Sequence, residues 1–169
     1  VRTNLTGGFL MAKEVYLKSM SKHGGSIVNI VADMWGGMPG MGHSGAARAG
    51  MVNLTQTAAV EWGASGVRVN AVAPGWVASS GMDSYPESMQ PWIKGLREAV
   101  PLKRLATEAE VSSAICFLLS DGANFISGDC LRIDGAASQG GRVMPLAKAK
   151  NSESYNGFHR AVTPKIFQE

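Results

Sequence analysis

The chain has 169 residues, of which 45% are hydrophobic and 17% charged, which is enough apolar material for the core of one globular domain. Its formal net charge of +3 resides in residues 136–169, because Lys and Arg balance Asp and Glu over residues 1–135. A neutral body offers no clustered positive charge to nucleic acid, and no stretch approaches the roughly 18 apolar residues that a membrane span needs. We therefore expect neither a nucleic acid nor a membrane as a partner.

Apolar spacing along the chain predicts helices that alternate with short strands. We predict helices over 5–23, 43–63 and 107–119, and strands over 26–31, 67–73 and 130–133. Gly24 and Gly25 follow the first helix, where a helix closes in a left-handed turn, and Thr107 with Glu110 forms a T-x-x-E capping box before the last helix. The strands are apolar nearly throughout, which predicts parallel strands covered on both faces. The alternating order indicates an α/β fold with right-handed crossovers.

Three strands make only half of such a sheet, because a buried parallel strand needs neighbours. The chain also starts at Val1 without a methionine, so we expect further strands upstream. Within the chain, residues 1–135 form the predicted domain, and residues 76–106, with a short predicted helix at 87–98, have the composition of a lid over a site. Residues 136–169 lose periodicity, which predicts an irregular tail.

The two cysteines, Cys116 and Cys130, fall in the last predicted helix and strand, where we expect two buried thiols. Neither has a second cysteine or histidine at metal-ligand spacing, so no metal site is predicted. Buried thiols fit a reducing compartment, and the terminal sequence KIFQE is not a peroxisomal targeting tripeptide. We therefore expect a cytoplasmic protein.

Open α/β sheets bind ligands in the loops that follow the C-terminal ends of their strands, which here are 32–42, 74–87 and 134–140. The segments around these loops form an ordered set of motifs. They are TNLTG (3–7), GGSIVNI (24–30), HSGAARAG (43–50), AVEWGASGVRVNAVAPGWVAS (59–79) and ISGDCLRIDG (126–135). Through these motifs the chain resembles the short-chain dehydrogenase/reductase family over about residues 2–136.

The resemblance implies a Rossmann-like, doubly wound parallel sheet, of which this chain holds the second half, and hydride transfer between NAD(P)H and a carbonyl or an activated double bond. The glycine-rich phosphate loop of the family follows its first strand, and the pattern G-x-x-x-G-x-G after a strand does not occur in this sequence. We therefore expect the chain by itself to bind cofactor poorly and to be inactive. NADP is the expected cofactor, with NAD as the alternative, because the strand that precedes the discriminating residue is not in the sequence.

Five residues match positions at which the family meets its cofactor or orders its site. Asn4 matches a central-helix Asn that holds a water, although an Asn there is also a favourable helix N-cap. Pro74, Gly75 and Val77 match the turn that meets the nicotinamide carboxamide through backbone groups. Ser79 stands where a hydroxyl commonly touches the cofactor. The resemblance thus implies two segments of a cofactor site, one in a helix and one after a strand.

The catalytic helix departs from the family pattern. The usual Tyr-x-x-x-Lys sets a lysine against the ribose hydroxyls and lowers the pKa of the tyrosine, so that the phenol passes a proton at neutral pH. In SGAARAG, Ser44 stands at the tyrosine and Arg48 at the lysine, and Ala32 falls near the usual serine. Arg48 can hold the ribose and add positive charge, but its guanidinium cannot shuttle a proton. Ser44, His43 and Asp33 are the candidate proton-handling groups.

Three functions stay open. The segments HSGAARAG, NLT and GGSIVNI are similar to the peroxisomal trans-2-enoyl-CoA reductase branch and its bacterial relatives, which implies a reductase of unsaturated acyl thioesters. That reaction leaves an enolate, which needs stabilising donors more than a phenolic acid. The alternatives are an alcohol or aldehyde dehydrogenase, acting for example on terpenoid alcohols, and a non-catalytic member with a structural role. Met34, Met38 and Met41 either line an apolar acyl or terpenoid channel or pack in the core.

The helix at 43–63 carries small residues that would allow close contact with another helix. They are Ala46, Ala47, Ala49 and Gly50. Because this helix pairs across a dimer in the family, the resemblance implies a homo-oligomer that assembles through it.

Overall fold

The computed structural model describes residues 1–140, 145–149, 151–157 and 162–168. The chain divides into two compact units. The first comprises Val1–Ala73 and Ala114–Leu131, and the second comprises Pro74–Ser113 and Arg132–Glu169. Each unit has an apolar core of its own.

The order of helices and strands agrees with the predicted alternation. The helices are α1 (residues 2–23), α2 (Gly42–Trp62), α3 (Gln90–Gly95) and α4 (Glu108–Leu119), and the strands are β1 (Gly25–Ile30), β2 (Val67–Pro74), β3 (Val77–Ala78), β4 (Ala106–Thr107) and β5 (Cys130–Ile133). Single 3-10 turns are present at Gly63–Ser65, Ser80–Ser84, Glu87–Met89, Leu96–Ala99, Asp121–Ala123 and Lys165–Phe167. None of the helices in the described ranges is long and apolar enough to cross a bilayer.

The main sheet has three strands in the order β1-β2-β5. β1 and β2 pair in parallel, with Ile27 opposite Val69. From β2 towards β5, the N–H of Ala71 donates to the carbonyl of Asp129 at 2.8 Å and the N–H of Gly75 to that of Ile133 at 3.0 Å. Between these two bonds both strands advance by four residues in the same direction, as in a parallel pair. The predicted α/β fold with a parallel sheet is confirmed.

Burial differs between the central strand and the edge strand. In β2, Val69 and Ala71 are at most 1% exposed, as predicted for a strand covered on both faces. At the end of β1, however, Ile30 is 62% exposed. The prediction of full cover is therefore wrong for β1, because the described chain supplies no element that packs over Ile30.

The core of the first unit forms where α1 and α2 meet each other and the sheet. A Cβ on Gly50 would lie 3.0 Å from Leu5, and one on Gly8 would lie 3.0 Å from Met51, so the two helices approach closely at these glycines. Met51 is 5% exposed, and burial of such a side chain stabilises a fold by about 1.5–3 kcal/mol. Further along, Tyr16 and Trp62 stack with their ring centroids 4.4 Å apart.

Two predictions about local chemistry have different outcomes. The capping box is confirmed: the N–H of Glu110 donates to Thr107 Oγ1 at 3.2 Å, and the N–H of Thr107 donates to Glu110 Oε2 at 2.9 Å. The prediction of two buried thiols is wrong, because Cys116 is exposed and Cys130 only half-buried. Cys116 lies on the side of α4 that the described chain leaves uncovered, which apolar spacing alone does not reveal.

The second unit packs the predicted lid against part of the tail. Its core contains Met82, Ile93, Leu96 and Leu105, with Ile166 and Phe167 against them. The helix predicted at 87–98 is present as a 3-10 turn, then α3, then a second 3-10 turn. The tail prediction also covers residues 141–144, 150, 158–161 and 169, which lie outside the described residues. In the described part of the tail, Pro164 is buried, so this segment contributes to the core.

Candidate functional site

The first candidate region is the loop after β1 and the start of α2. Two glycines in the left-handed region, Gly37 at φ 77° and Gly40 at φ 79°, allow the loop to turn twice. The N–H of Ser44 then donates to the carbonyl of Met41 at 2.8 Å, which closes the first turn of α2. Ser44 therefore lies at the helix N-terminus, directly after the loop.

Arg48 lies one helical turn after Ser44, so both side chains share one face of α2. Arg48 Nε donates to Ser44 Oγ at 3.4 Å, a long hydrogen bond, and both residues are half-buried. Because Ser44 Oγ accepts from the guanidinium, its own proton is available for another acceptor. The pair can thus offer a fixed positive charge and a hydroxyl donor from the same helix face.

The tyrosines of the chain lie outside α2. Tyr16 is in α1, where it stacks on Trp62 and bonds to Ser65. Tyr85 and Tyr155 belong to the lid and the tail of the second unit. The helix that carries Ser44 therefore has no phenol of its own.

Asn4 lies inside α1 and is exposed. The helix starts at Arg2 and its cap position is Val1, so the alternative that Asn4 is the helix N-cap is wrong. Its neighbour Leu5 contacts α2 at Gly50, two residues after Arg48. The structure thus places Asn4 in the segment of α1 that packs beside the Arg48 segment of α2.

His43, Asp33 and Met38 are the remaining candidates in and beside the loop before Ser44. His43 is exposed on the first turn of α2, and Asp33 is half-buried in the loop. A Cβ on Gly45 would lie 3.4 Å from Met38, so this thioether packs against the first turn of the helix. Among the described residues, no group of three or more His, Cys, Asp or Glu side chains could hold a metal ion.

The second candidate region is the turn after β2, in the second unit. The N–H of Gly75 donates to the carbonyl of Ile133, and a Cβ on Gly75 would lie 2.9 Å from the Cβ of Asp134. Only glycine permits this approach. Asp134 is buried, and its carboxylate accepts the N–H groups of Ala136 at 2.9 Å and Ser138 at 3.1 Å. Side-chain and backbone contacts therefore hold the turn in one conformation.

Beyond this turn the chain enters β3. Val77 pairs with Ala106 of β4 in a short parallel ladder. Ser79 follows β3, is half-buried, and accepts the N–H of Met82 at its carbonyl at 2.9 Å. Pro74 and Val77 are half-buried as well. The residues matched to the carboxamide turn thus lie on one short segment of the second unit.

The structure brings together some of the predicted residues and adds a region that was not predicted. Ser44 and Arg48 are in contact in the first unit, and the candidates after β2 follow one another in the second. The addition is a cavity of about 300 Å³ between the lid and the tail. Its signal in the sequence is weak: Val162, Pro164 and Phe167 are apolar residues in an otherwise polar segment.

An ion pair stands at the side of this cavity. Arg104 donates two hydrogen bonds to the carboxylate of Glu110, at 2.7 and 2.8 Å. Burial raises the pKa of Glu110, but hydrogen bonds from Arg104 and from the N–H groups of Thr107 and Tyr155, together with the charge of Arg104, outweigh burial. The pKa of Glu110 is therefore held below its usual value, and the carboxylate stays ionised.

Comparison with known proteins agrees with the parallel sheet and the loop motifs. A family model described as enoyl-(acyl carrier protein) reductase matches residues 1–138. The probable 2,4-dienoyl-CoA reductase, (2E)-enoyl-CoA-producing, of Bacillus subtilis strain 168 is 44% identical over 117 residues, which are 68% of this chain and 46% of that protein. The 3-oxoacyl-acyl-carrier-protein reductase FabG of Staphylococcus epidermidis strain RP62A is 32% identical over 136 residues, which are 80% of this chain and 54% of that protein.

A solved structure gives the same result at higher identity. The citronellol catabolism dehydrogenase AtuB of Pseudomonas aeruginosa PAO1 is 66% identical, with a TM-score of 0.69 over 80% of this chain and 52% of that one. The fold is accordingly of the Rossmann-like α/β class. The chain belongs to the short-chain dehydrogenase/reductase family, as its motifs predict. It spans about half the length of the curated relatives it matches.

Proposed function

We propose that this protein transfers a hydride from a nicotinamide cofactor to the double bond of an unsaturated acyl thioester. The observation that carries the proposal is the contact between Ser44 and Arg48 at the start of α2. In the family this face presents a phenol and an ammonium, whereas here it presents a hydroxyl and a guanidinium. The change replaces a proton-transfer pair by a pair suited to stabilising negative charge.

Reduction of a carbonyl and reduction of an unsaturated thioester need different groups on this face of α2. Reduction of a carbonyl needs a proton for the forming alkoxide, from an acid of matched pKa. Hydride addition to the β-carbon of an unsaturated thioester leaves an enolate, which donors and fixed charge stabilise until its α-carbon takes a proton from solvent. Arg48 keeps its charge and supplies N–H donors but does not give up a proton, so it suits the second reaction. Ser44 is the proposed donor to the enolate oxygen.

In each unit, taken by itself, the residues matched to the family's cofactor positions carry groups that suit a nicotinamide cofactor. Arg48 offers charge and a fork of N–H groups to ribose hydroxyls, in the role of the family's lysine. The turn Pro74–Val77 is proposed to meet the carboxamide through backbone groups, and Ser79 is proposed to supply a hydroxyl. Asn4, on the α1 segment that packs against α2, is proposed to orient the site through a water. NADP is the proposed cofactor, with NAD as the alternative.

The names of two relatives support a thioester substrate. The Bacillus subtilis protein is named as a 2,4-dienoyl-CoA reductase and the Staphylococcus epidermidis protein as a 3-oxoacyl carrier-protein reductase. Both names specify acyl chains carried on a thiol. We therefore propose a small-molecule acyl thioester as the partner of this protein, in a cytoplasmic setting.

A second candidate is an alcohol or aldehyde dehydrogenase that acts on a terpenoid. It is favoured by the 66% identity to a dehydrogenase named for citronellol catabolism. Against it stands the absence of a phenol on α2, since oxidation of an alcohol needs a base of matched pKa to form the alkoxide. The two candidates share a hydride transfer and an aliphatic substrate, and they differ in the group that reacts.

A third candidate is a non-catalytic member that serves in assembly. The small residues of α2 leave less surface for contact with another subunit than the sequence implies. Ala47 is 1% exposed in the core, and Gly50 is covered by Leu5. Ala46 and Ala49 are the small residues that stay exposed. Assembly of a homo-oligomer through α2 remains a proposal that rests on these two positions.

One assay separates the three candidates. The full-length protein is given NADPH with crotonyl- to dodecenoyl-CoA, and loss of NADPH absorbance is followed; in parallel it is given NAD with citronellol. We expect turnover of the unsaturated thioesters at rates above oxidation of citronellol. Faster oxidation of citronellol would support the dehydrogenase instead. No turnover in either arm, with cofactor bound, would support the assembly role.

A further inference from the structure

The tail contains an asparagine that is followed by a glycine, Asn156–Gly157. The backbone nitrogen of the following residue can attack an asparagine side chain, and a Cβ on that residue hinders the approach, which makes Asn before Gly the most labile pairing. The other asparagines of the chain all precede residues with a Cβ, and they are Asn4, Asn29, Asn53, Asn70, Asn124 and Asn151. The sequence therefore singles out Asn156 for this reaction.

The surroundings of Asn156 allow the reaction. Residues 152–157 form neither a helix nor a strand, and both Asn156 and Gly157 are exposed. Regular secondary structure fixes the backbone and holds the following N–H away from the side chain, whereas an irregular, exposed segment allows the two groups to meet. Asn70 is the opposite case, because it is fully buried in β2 and its amide donates to the carbonyl of Ile126 at 2.8 Å.

The glycine at position 157 also fits its own neighbourhood. A Cβ on Gly157 would overlap the phenol of Tyr155. The ring of Tyr155 therefore keeps its observed place only beside a glycine. The packing of the tail thus favours the one residue type that leaves the backbone nitrogen open to the asparagine side chain.

Asn156 lies between two points at which the tail is attached to the rest of the second unit. On one side, the N–H of Tyr155 donates to Glu110 Oε1 at 3.1 Å, and the carbonyl of Tyr155 accepts a hydrogen bond from the hydroxyl of Thr107. On the other side, Phe167 packs against the core of the lid. A change in the backbone at Asn156 therefore acts on the link between these two attachments.

We propose that Asn156 is a site of spontaneous deamidation, and that its products loosen the tail from the rest of the second unit. The backbone nitrogen of Gly157 attacks the side-chain carbonyl carbon of Asn156 and forms a C–N bond. The amide nitrogen takes up a proton and leaves as ammonia, which gives a five-membered succinimide. Water then opens the ring at either carbonyl and yields aspartate or isoaspartate, so that water is the only co-reactant.

Both products change the link between the two attachments. Each adds a negative charge at the residue after Tyr155, whose N–H is bound by the carboxylate of Glu110. Like charges at close range repel, which weakens this attachment. Isoaspartate also adds a methylene group to the backbone before Gly157, so the link no longer has the length that suits both attachments.

The modification is tested by incubating the full-length protein at neutral pH and physiological temperature. Peptide mass spectrometry follows the gain of about 1 Da that accompanies conversion of the amide to a carboxylate, and isoaspartyl methyltransferase labels the isoaspartate. We expect most of the protein to be converted at Asn156 within days. Asn151, which is exposed in the same part of the tail but precedes Ser152, should stay unchanged.

Asn156→Gln is the matched variant, because a glutamine would have to close a six-membered ring, which is much slower. We expect no gain of mass at this position in the variant over the same period. Equal conversion of Asn151 and Asn156, or conversion of neither, would overturn the proposal.

Hydrogen exchange measures the effect on the tail. The N–H of Phe167 donates to the carbonyl of Pro164 at 2.9 Å, and we expect the peptide 162–168 to exchange about tenfold faster in the converted protein than in the fresh one. Asn156→Gln, incubated in the same way, should keep the slow exchange. Asn156→Asp carries the charge on an unchanged backbone and should exchange at an intermediate rate. Unchanged exchange in fully converted protein would overturn the effect on the tail.

Discussion

Two arginines of this chain, Arg48 in α2 and Arg104 before β4, have different partners. Arg48 contacts the neutral hydroxyl of Ser44 at 3.4 Å, whereas Arg104 makes two bonds of 2.7 and 2.8 Å to the carboxylate of Glu110. Arg97 and Arg104 each form a salt bridge with a glutamate, whereas the hydrogen bond of Arg48 goes to the hydroxyl of Ser44. The charge of Arg104 helps to hold the lid and tail together, and we propose that the charge of Arg48 serves a ligand.

An arginine thus has a structural role in the second unit, and we propose a chemical role for the arginine in the first. A guanidinium fixed by a carboxylate contributes to stability and is neutralised as a binding group. A guanidinium beside a hydroxyl keeps its field and can respond to charge that develops on a substrate. Substitutions at the two arginines and their partners should therefore affect different properties, activity in the first unit and stability in the second.

Removal of the uncompensated charge has the largest expected effect. In Arg48→Ala of the full-length protein we expect kcat/KM to fall about a hundredfold, because one donor to the developing charge is lost, and the affinity for NADPH to fall as well. Steady-state kinetics and cofactor titration measure the two quantities. Arg48→Lys keeps the positive charge but loses the planar set of N–H donors. Its kcat/KM should therefore lie between those of the wild type and Arg48→Ala. Unchanged cofactor affinity in Arg48→Ala would contradict the ligand role of this arginine.

Removal of the compensating carboxylate acts on stability instead. Glu110→Gln leaves Arg104 without its ionic partner in a site where the two side chains are 23% and 18% exposed. We expect the free energy of unfolding to fall by about 1–3 kcal/mol. Urea denaturation measures it, with Glu108→Gln on the same helical turn as the control, for which we expect a change below about 0.5 kcal/mol. Equal effects of the two variants would show that the ion pair does not stabilise the unit.

The hydroxyl beside Arg48 has a smaller expected effect. In Ser44→Ala we expect kcat to fall about tenfold, the equivalent of one hydrogen bond of about 1.4 kcal/mol, with the affinity for NADPH retained. Comparison of kcat with KM for crotonyl-CoA measures the loss. Should kcat stay unchanged, His43 or Asp33 would be the better candidate for the proton-handling group.

The smallest expected effect concerns the pH dependence of stability. The pKa of Glu110 in the folded chain lies below its ordinary value of 4.5, so its ionised form stabilises the fold. This contribution is complete above the ordinary value and is lost as the pH falls through the lower, folded pKa. Urea denaturation of the wild type should show the loss in that acidic window. In Glu110→Gln this part of the slope should disappear, and an identical slope in both proteins would contradict the assignment.

Local patterns in the sequence predict most of the element order. The spacing of apolar residues locates α1 and α2 to within a few residues, and Gly24, at φ 69°, ends the first helix where its missing Cβ allows the left-handed region. The pairing of Thr107 with Glu110 is also local, since the two residues are three apart. Because helix bounds and helix caps depend on residues that are near in the sequence, the sequence alone predicts them.

Burial and the polar contacts of the sites depend on which faces meet, and local patterns do not specify this. The exposure of Cys116 and the exposure of Ile30 both differ from expectation for that reason. The alignment of motifs placed Ser44 and Arg48 one turn apart, and their contact follows from helix geometry.

The sequence is sufficient to identify the family, the order of the elements, and the serine and arginine at the positions matched to the family's tyrosine and lysine. The contacts of the tail appear only in the folded chain. Ser152 and Tyr155 meet Arg104 and Glu110 across more than 40 residues, and no periodic pattern marks such a pairing. The physical reason is that hydrogen bonds and cavity walls form between distant segments, so they exist only once the chain has folded.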